Sequence, residues 1–189
     1  MSTPATTPVD ASPIAPSSSE AVLRSQLLKT AQQLDTLGLN RGTSGNVSAR
    51  VSSSYWLVTP SGVPVDKLSA KAMVLMDFEG KPASNGKPSS EWRFHHDILV
   101  GRSDVGAVVH THSRFATAFS CLQKDIPAFH YMIAAAGGDS IRCCPYALFG
   151  SQDLSDLALV ALENRKACLL GNHGMIARSE EHTSELQSH

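Results

Sequence analysis

A layered α/β domain is what this sequence predicts, on three observations. Short apolar segments of strand character alternate with amphipathic segments of helical period. A hairpin-like pair of strands stands near the start, and Gly, Pro, Asn or Ser punctuate the junctions. The first element is a helix. From Glu20 to Gly38 the apolar residues Leu23, Leu27, Leu28, Ala31, Leu34 and Leu37 recur at helical spacing, and Gly38 stands where a helix C-cap belongs. A glycine-rich turn, Arg41 to Asn46, leads into a short strand, Val47 to Val51, and Tyr55 to Thr59 reads as its neighbour, closed by Pro60-Ser61-Gly62. Leu68 to Ala72 gives one helical turn before the strand Met73 to Met76, and Asp77 to Lys87 is a polar turn region. Ser89 or Ser90 is placed to cap a helix carrying Trp92, Phe94, Ile98 and Leu99. Gly106 to His112 reads as a strand and Arg114 to Leu122 as a helix, while Met132 to Ala136 reads as core packing. Ser151 caps a strong helix with Leu154, Leu157, Ala158, Val160, Ala161 and Leu162, and Ala167 to Leu170 is the last strand, ending at Gly171-Asn172-His173-Gly174.

The 189 residues suit one domain with a substantial core. A formal charge of −1 argues against broad electrostatic binding to nucleic acid or anionic membrane, so any phosphate must be held by a local pocket. No apolar run approaches the roughly 20 residues of a membrane helix. Residues 1–19 are mostly Ser, Thr, Pro and Ala, with no Lys or Arg before Arg24, and are expected to form a disordered tail rather than a secretory signal. Cys121, Cys143, Cys144 and Cys168 are too sparse for a disulfide scaffold and suit reduced thiols in a cytoplasmic protein. At the other end, residues 178–189 lack apolar periodicity and resemble the translation of a sequencing-adapter oligonucleotide. The domain is therefore expected to span residues 20–177, with His182 and His189 outside its chemistry.

His110-Thr111-His112 ends a predicted strand, where side chains at i and i+2 share a face about 6.6 Å apart along the strand. Two imidazoles so placed can converge on one ion, although an isolated pair of this kind is weak evidence. Two further residues strengthen it. His173 lies at the end of a strand with buried character, where sites concentrate. Glu91 follows Ser89-Ser90 at a helix start, which favours a carboxylate. Three histidines and one carboxylate make a coherent set for Zn²⁺. His95, His96 and His130 read as surface groups or as supports behind the ligands. Gly45-Asn46, Ser61-Gly62 and Ser89-Ser90 each offer small residues and free backbone N–H groups, and together they suit one phosphomonoester bound by neutral donors.

These segments resemble the class II aldolase and adducin superfamily, in order and spacing, from about Leu37 to Ala177. They are GLNRGTSGNVSAR, TPSGVPVDKL, KPSSEWRFH, VVHTH, IPAFHYMIAAAGG and NRKACLLGNHGMIA, of which SSEWRFH and HYMIAAAGG are most similar to the L-fuculose-phosphate aldolase branch. The resemblance implies an α/β/α domain with a central, mainly antiparallel sheet. It implies one zinc per subunit on His110, His112, His173 and Glu91, with Glu91 also the acid/base. Gly45, Asn46, Ser61, Gly62, Ser89 and Ser90 correspond to the phosphate-binding segments. Tyr131 matches a tyrosine that reaches the neighbouring subunit's site and protonates the aldehyde-side oxygen, and Phe149 lies near that interface in a four-fold symmetric homotetramer.

The implied reaction is cleavage of a 1-phosphoketose, such as L-fuculose 1-phosphate, to dihydroxyacetone phosphate and an aldehyde such as L-lactaldehyde. Relatives on the same fold are pentulose-phosphate 4-epimerases, a methylthioribulose-phosphate dehydratase and non-catalytic adducin heads. Tyr131 favours the aldolase over the first two, and the complete zinc set disfavours the last. Family chains continue beyond the Asn172-His173-Gly174 strand with helical structure and a tail that contributes to the site, so this chain is expected to be incomplete at its C-terminus.

Overall fold

The apolar segments fold into one seven-stranded sheet with helices on both faces in the computed structural model, which describes residues 18–180. In chain order the elements are α1 (Ser18–Thr36), β1 (Asn46–Arg50), β2 (Tyr55–Val58), β3 (Val74–Asp77), α2 (Trp92–Gly101), β4 (Val105–Thr111), α3 (Arg114–Cys121), β5 (Arg142–Cys144), α4 (Gln152–Ala161), β6 (Ala167–Leu170) and β7 (Gly174–Glu180). Single 3₁₀ turns occupy Val65–Lys67 and Ala70–Ala72, and a longer one Tyr131–Ala136. The strand order is β3-β2-β1-β4-β7-β6-β5, and every neighbouring pair is antiparallel except β5 with β6. The expected layered, mainly antiparallel α/β domain is therefore present. The expectations for residues 1–17 and 181–189 lie outside the described residues.

Register decides which side chain faces which helix layer. On one face, Leu27, Ala31 and Leu34 of α1 pack on Val47, Ala49, Leu57 and Met73. On the other, α2 and α4 send Phe94, Ile98, Leu99, Leu154 and Ala158 onto Trp56, Val108, Leu170 and Ile176. Val109 pairs with Ala177, so α3, whose Ala116 lies with Ala167 and Leu169, covers the α1 face further along the sheet. All four residues of β6 are buried, as a strand covered on both faces requires. Each such aliphatic or aromatic side chain contributes about 1.5–3 kcal/mol.

The expected helices and strands form, with ends moved by one or two residues, and Ser151 caps α4 by accepting from Leu154 N. Three expectations need correction. Neither Ser89 nor Ser90 is the cap of α2. Glu91 occupies that position, and Ser89 Oγ accepts from Glu91 N at 3.3 Å in the turn before it. The Met132–Ala136 segment is not core: Tyr131 and Met132 are exposed and only Ala136 is buried. It belongs to a long connection from α3 to β5, in which Ile133 and Ala136 join the cluster around Ile141, Ala167 and Leu169 while Tyr131 and Met132 face outward.

Finally, strand pairing does not stop at Ala177. Arg178 pairs with Val108 and Ser179 with Ala107, and Arg178 is buried, its backbone N–H donating to Lys166 O at 2.8 Å. A ladder is built from backbone groups that every non-proline residue carries, so three polar residues can extend a strand that side-chain pattern does not announce.

Between α2 and α4 lies a polar clamp. His96 Nδ1 donates to Asp97 Oδ1 at 2.7 Å and Nε2 faces Phe78 O at 3.1 Å, while Ser155 Oγ and Gln152 Nε2 donate to Asp97 Oδ2. The rings of Trp56, Phe78 and Trp92 surround the imidazole at 5.8–6.4 Å between centroids. With an acceptor at each nitrogen, and the Asp97 bond as the chief cause, His96 is raised above its ordinary 6.5. A raised folded-state value means the stabilisation is full below the unfolded value and is lost as pH climbs through the folded one. We expect the His96 ring resonances to titrate above 6.5, and Asp97→Asn to move the midpoint back down. A wild-type midpoint below 6.5 would remove the clamp as a charged pair.

Candidate metal centre and the cavity beside it

Three elements deliver the four predicted ligands: β4, the β6–β7 turn and the start of α2. His110 is the penultimate residue of β4 and His112 follows the strand's end, so both project to the same side and their Nε2 atoms lie 2.9 Å apart. His173 sits in the turn between β6 and β7, and α3 anchors that turn. Ser120, fully buried, accepts Asn172 N on its carbonyl at 2.9 Å and His173 N on its hydroxyl at 3.2 Å, while its own O–H donates to Thr117 O. Asn172 bridges the turn with φ +55°, a left-handed conformation that Asn tolerates better than most residues. Glu91, buried at the start of α2, places Oε1 3.1 Å from His173 Nε2 and Oε2 3.4 Å from His110 Nε2. One donor atom from each of the four lies within 4.8 Å of all the others.

The charges suit a cation. Burial pushes the His110 imidazole down to about 4, with the Glu91 carboxylate opposing, and burial also lowers His112. Both rings are therefore neutral near pH 7. Burial would raise the Glu91 carboxyl, but hydrogen bonding to His173 and the fields of His110 and His173 outweigh it and hold the group at about 2. His110 Nδ1 must donate to Met175 O, 3.0 Å away, which leaves the Nε2 lone pair turned into the cluster. Glu91 Oε1 is buried with no hydrogen-bond partner of good geometry, despite its short contact to His173. Converging lone pairs and an underused buried carboxylate oxygen are costly by themselves, and a divalent ion bound by nitrogen and oxygen donors relieves both. The residues present therefore fit a metal.

Beside the cluster opens a cavity of about 340 Å³. One wall is Thr43 to Asn46, Pro60 to Gly62 and Ser89-Ser90; Glu91, His112 and His173 border it, and Tyr146, Ala147, Phe149 and Asn172 complete it. The structure thus brings together Gly45, Asn46, Ser61, Gly62, Ser89 and Ser90, with Phe149 among the lining. Gly45 and Gly62 have φ near +70°, the region where glycine is favoured. Gly45 also leaves no room for a side chain against Asn40, whose Oδ1 accepts from His112 N at 3.0 Å.

Three expectations fare differently. Tyr131 is 81% exposed on the surface 3₁₀ segment and is not brought to the cavity within one chain. His130 caps that segment by accepting from Met132 N and stays at the surface. His95 is fully buried behind Glu91, in the supporting position the sequence allowed for it. Sequence reasoning did not single out Tyr146 or Asn172. The signals were the tyrosine of the Tyr146–Gly150 stretch and an asparagine between a glycine and a ligand histidine.

The profile of the Class II Aldolase and Adducin N-terminal domain matches residues 25–183. The chain belongs to the class II aldolase and adducin family. Within that family, the 5-methylthioribulose-1-phosphate/5-deoxyribulose-1-phosphate aldolase of Rhodospirillum rubrum is 55% identical over 159 residues, covering 84% of this chain and 72% of the relative. The L-fuculose phosphate aldolase of Escherichia coli is 50% identical over 155 residues, covering 82% and 72%. A solved L-fuculose 1-phosphate aldolase superposes with a TM-score of 0.81 at 35% identity, over 84% of this chain and 76% of that one. This class II aldolase is an enzyme of the lyase type, and it carries a complete Glu/His₃ donor set. Among its described residues no helix is long and apolar enough to cross a membrane.

Proposed function

We propose that this chain catalyses zinc-dependent retro-aldol cleavage of a 1-phosphoketose whose aldehyde half ends in an apolar group, releasing dihydroxyacetone phosphate. One observation carries the reading. A single cavity joins a wall of neutral anion donors, a four-ligand metal cluster and an apolar wall made by Tyr146, Ala147 and Phe149. The phosphate lies against Gly45, Ser61, Gly62, Ser89 and Ser90, held by N–H and hydroxyl donors. The aldehyde half lies against the apolar wall.

A zinc ion held by Glu91, His110, His112 and His173 would supply Lewis acidity where negative charge develops as the bond breaks. The C3–C4 bond cleaves, C4 becomes the aldehyde as its hydroxyl loses a proton, and Glu91 returns a proton to C3. Tyr131 of a neighbouring copy exchanges the C4 hydroxyl proton, and a homotetramer puts the exposed Tyr131 and Phe149 to use at an interface. The buried, unpaired Cys144 and Cys168 suit a reducing compartment such as the cytoplasm.

L-Fuculose 1-phosphate, 5-deoxyribulose 1-phosphate and methylthioribulose 1-phosphate all satisfy the apolar-terminus rule, the first two with a terminal methyl and the third with a methylthio group. The test is release of triose phosphate from each, with and without a chelator. Chelator-sensitive release, restored by zinc, supports the reading, and the ratio of kcat/KM values ranks the three. An isomeric pentulose phosphate with no triose phosphate from zinc-loaded protein would replace it by an epimerase. Tyr131→Phe is expected to lower turnover about 100-fold with zinc content unchanged, the low end for loss of a proton-transfer group. Loss of zinc in that variant would show the tyrosine to be structural.

A further inference from the structure

Behind the four donor residues, a chain of buried polar side chains runs inward from the cavity wall and ends on Glu91. Asn46 Nδ2 lies 2.9 Å from Glu91 Oε2, His95 Nε2 faces Asn46 Oδ1, and Ser48 Oγ lies 2.7 Å from His95 Nδ1. Glu91 and Asn46 are 7% exposed, and Ser48 and His95 are 0% exposed. The sheet sets the spacing: Asn46 and Ser48 are i and i+2 on β1 and therefore share a face, and His95 reaches both from the first turn of α2.

The polarity of this chain has one solution. An ionised carboxylate cannot donate, so the Asn46 amide nitrogen must face Glu91, and Asn46 Oδ1 must face His95. That oxygen can only accept, so His95 carries its proton on Nε2. The neutral ring then offers a lone pair at Nδ1, and the Ser48 hydroxyl donates to it. Full burial keeps the ring neutral.

We infer that His95 is a positioning residue for Glu91, acting through Asn46. The Ser48–His95–Asn46 strut holds Oε2 by a hydrogen bond of fixed direction. Oε1, buried and without a good hydrogen-bond partner, is thereby left turned toward His173 and the convergence of the donor atoms. This task engages the Asn46 carbonyl oxygen and one of its two amide N–H groups. The ring of Phe94, tilted against His95 at 4.7 Å and edge-on to His110 at 5.4 Å between centroids, packs the strut and the candidate ligand together.

The inference rests on the metal-centre reading, and the experiment separates the two. Zinc affinity of the full chain is measured by competition with a chromophoric chelator, alongside kcat and KM. His95→Phe keeps an aromatic ring, somewhat larger than the imidazole, and removes both nitrogens. It is expected to weaken zinc about 10–100-fold, the usual cost of losing a ligand's support, and to lower kcat with KM changed less than about threefold. His95→Gln keeps an N–H toward Asn46 and is expected to recover most of both losses. Ser48→Ala, a small change that folds even where His95→Phe does not, should weaken zinc by a few-fold in the same direction. Wild-type zinc affinity and kcat in folded His95→Phe, or in Ser48→Ala where the first variant fails to fold, would overturn the inference while leaving the metal centre standing. A wild-type chain that binds no zinc would overturn both.

Discussion

Glu91→Gln is expected to lower turnover about 10³-fold while the fold persists, within the 10²–10⁴ range for loss of a general acid/base. The substitution keeps shape and removes charge. A glutamine can still accept from Asn46 Nδ2 with its oxygen and present its nitrogen toward His173, so neither the start of α2 nor the packing of Phe94 is disturbed. What disappears is the carboxylate that the surrounding histidines hold ionised at about 2. That loss would take away one of the four candidate metal donors and, in the proposed reaction, the group that returns a proton to the carbon.

Zinc affinity therefore also falls, by at least the roughly tenfold that loss of a mere supporting partner produces. Measuring kcat at saturating zinc separates the two effects. If zinc restores full turnover, Glu91 is a ligand and nothing more, and the acid/base role must be sought elsewhere in the cavity.

Gly174→Ala is the second large effect, and it acts on fold and site together. A Cβ at this position would stand 2.5 Å from Thr111 O, 3.1 Å from His110 Cε1 and 3.3 Å from His112 Cδ2. The first contact is with backbone in the β4–β7 ladder, where Thr111 pairs with Met175, so it cannot swing aside. Relief requires β7 to move off β4 or both ligand rings to shift. Overpacking of this kind costs about 1–3 kcal/mol, and at about 2–4 °C per kcal/mol for a chain of this size, Tm falls by several degrees.

Zinc affinity should fall with it, since tetrahedral geometry tolerates little displacement of two ligands at once. Gly101→Ala is the control: nothing lies within 4 Å of its Cβ at the end of α2, and the change should be neutral or slightly stabilising. Equal Tm and zinc affinity in Gly174→Ala and the wild type would show that the β6–β7 turn has slack the geometry denies.

Much of the site was legible because its chemistry is written in local patterns. His110 and His112 are two apart on an apolar strand, and that spacing alone puts both imidazoles on one face. Gly45 and Gly62 advertise left-handed turns, and the serines before Trp92 advertise a helix start. The elements that were missed lack such patterns. β5 is three residues long, and β7 buries residues on both faces, Met175 and Ala177 on one and Ile176 on the other, so neither shows a period of two. The Met132–Ala136 segment departs from the expected core packing because apolar composition announces burial without saying what supplies the cover.

By itself, then, the sequence determined the layered fold, the four donor residues and the turns that line the cavity, since each follows from side-chain chemistry at short separations along the chain. Tertiary structure decided how they work together. The antiparallel register of β1, β4 and β7 sets His110 opposite Asn46 on one side and Ile176 on the other, and the docking of α3 through Ser120 fixes the turn that carries His173. The same register places Ser48 and Asn46 beneath His95, turning a histidine that looked unassigned into the strut behind Glu91. Those contacts join residues 47 to 66 positions apart. No local pattern encodes them, because backbone pairing and packing across the sheet depend on geometry that exists only once the layers close.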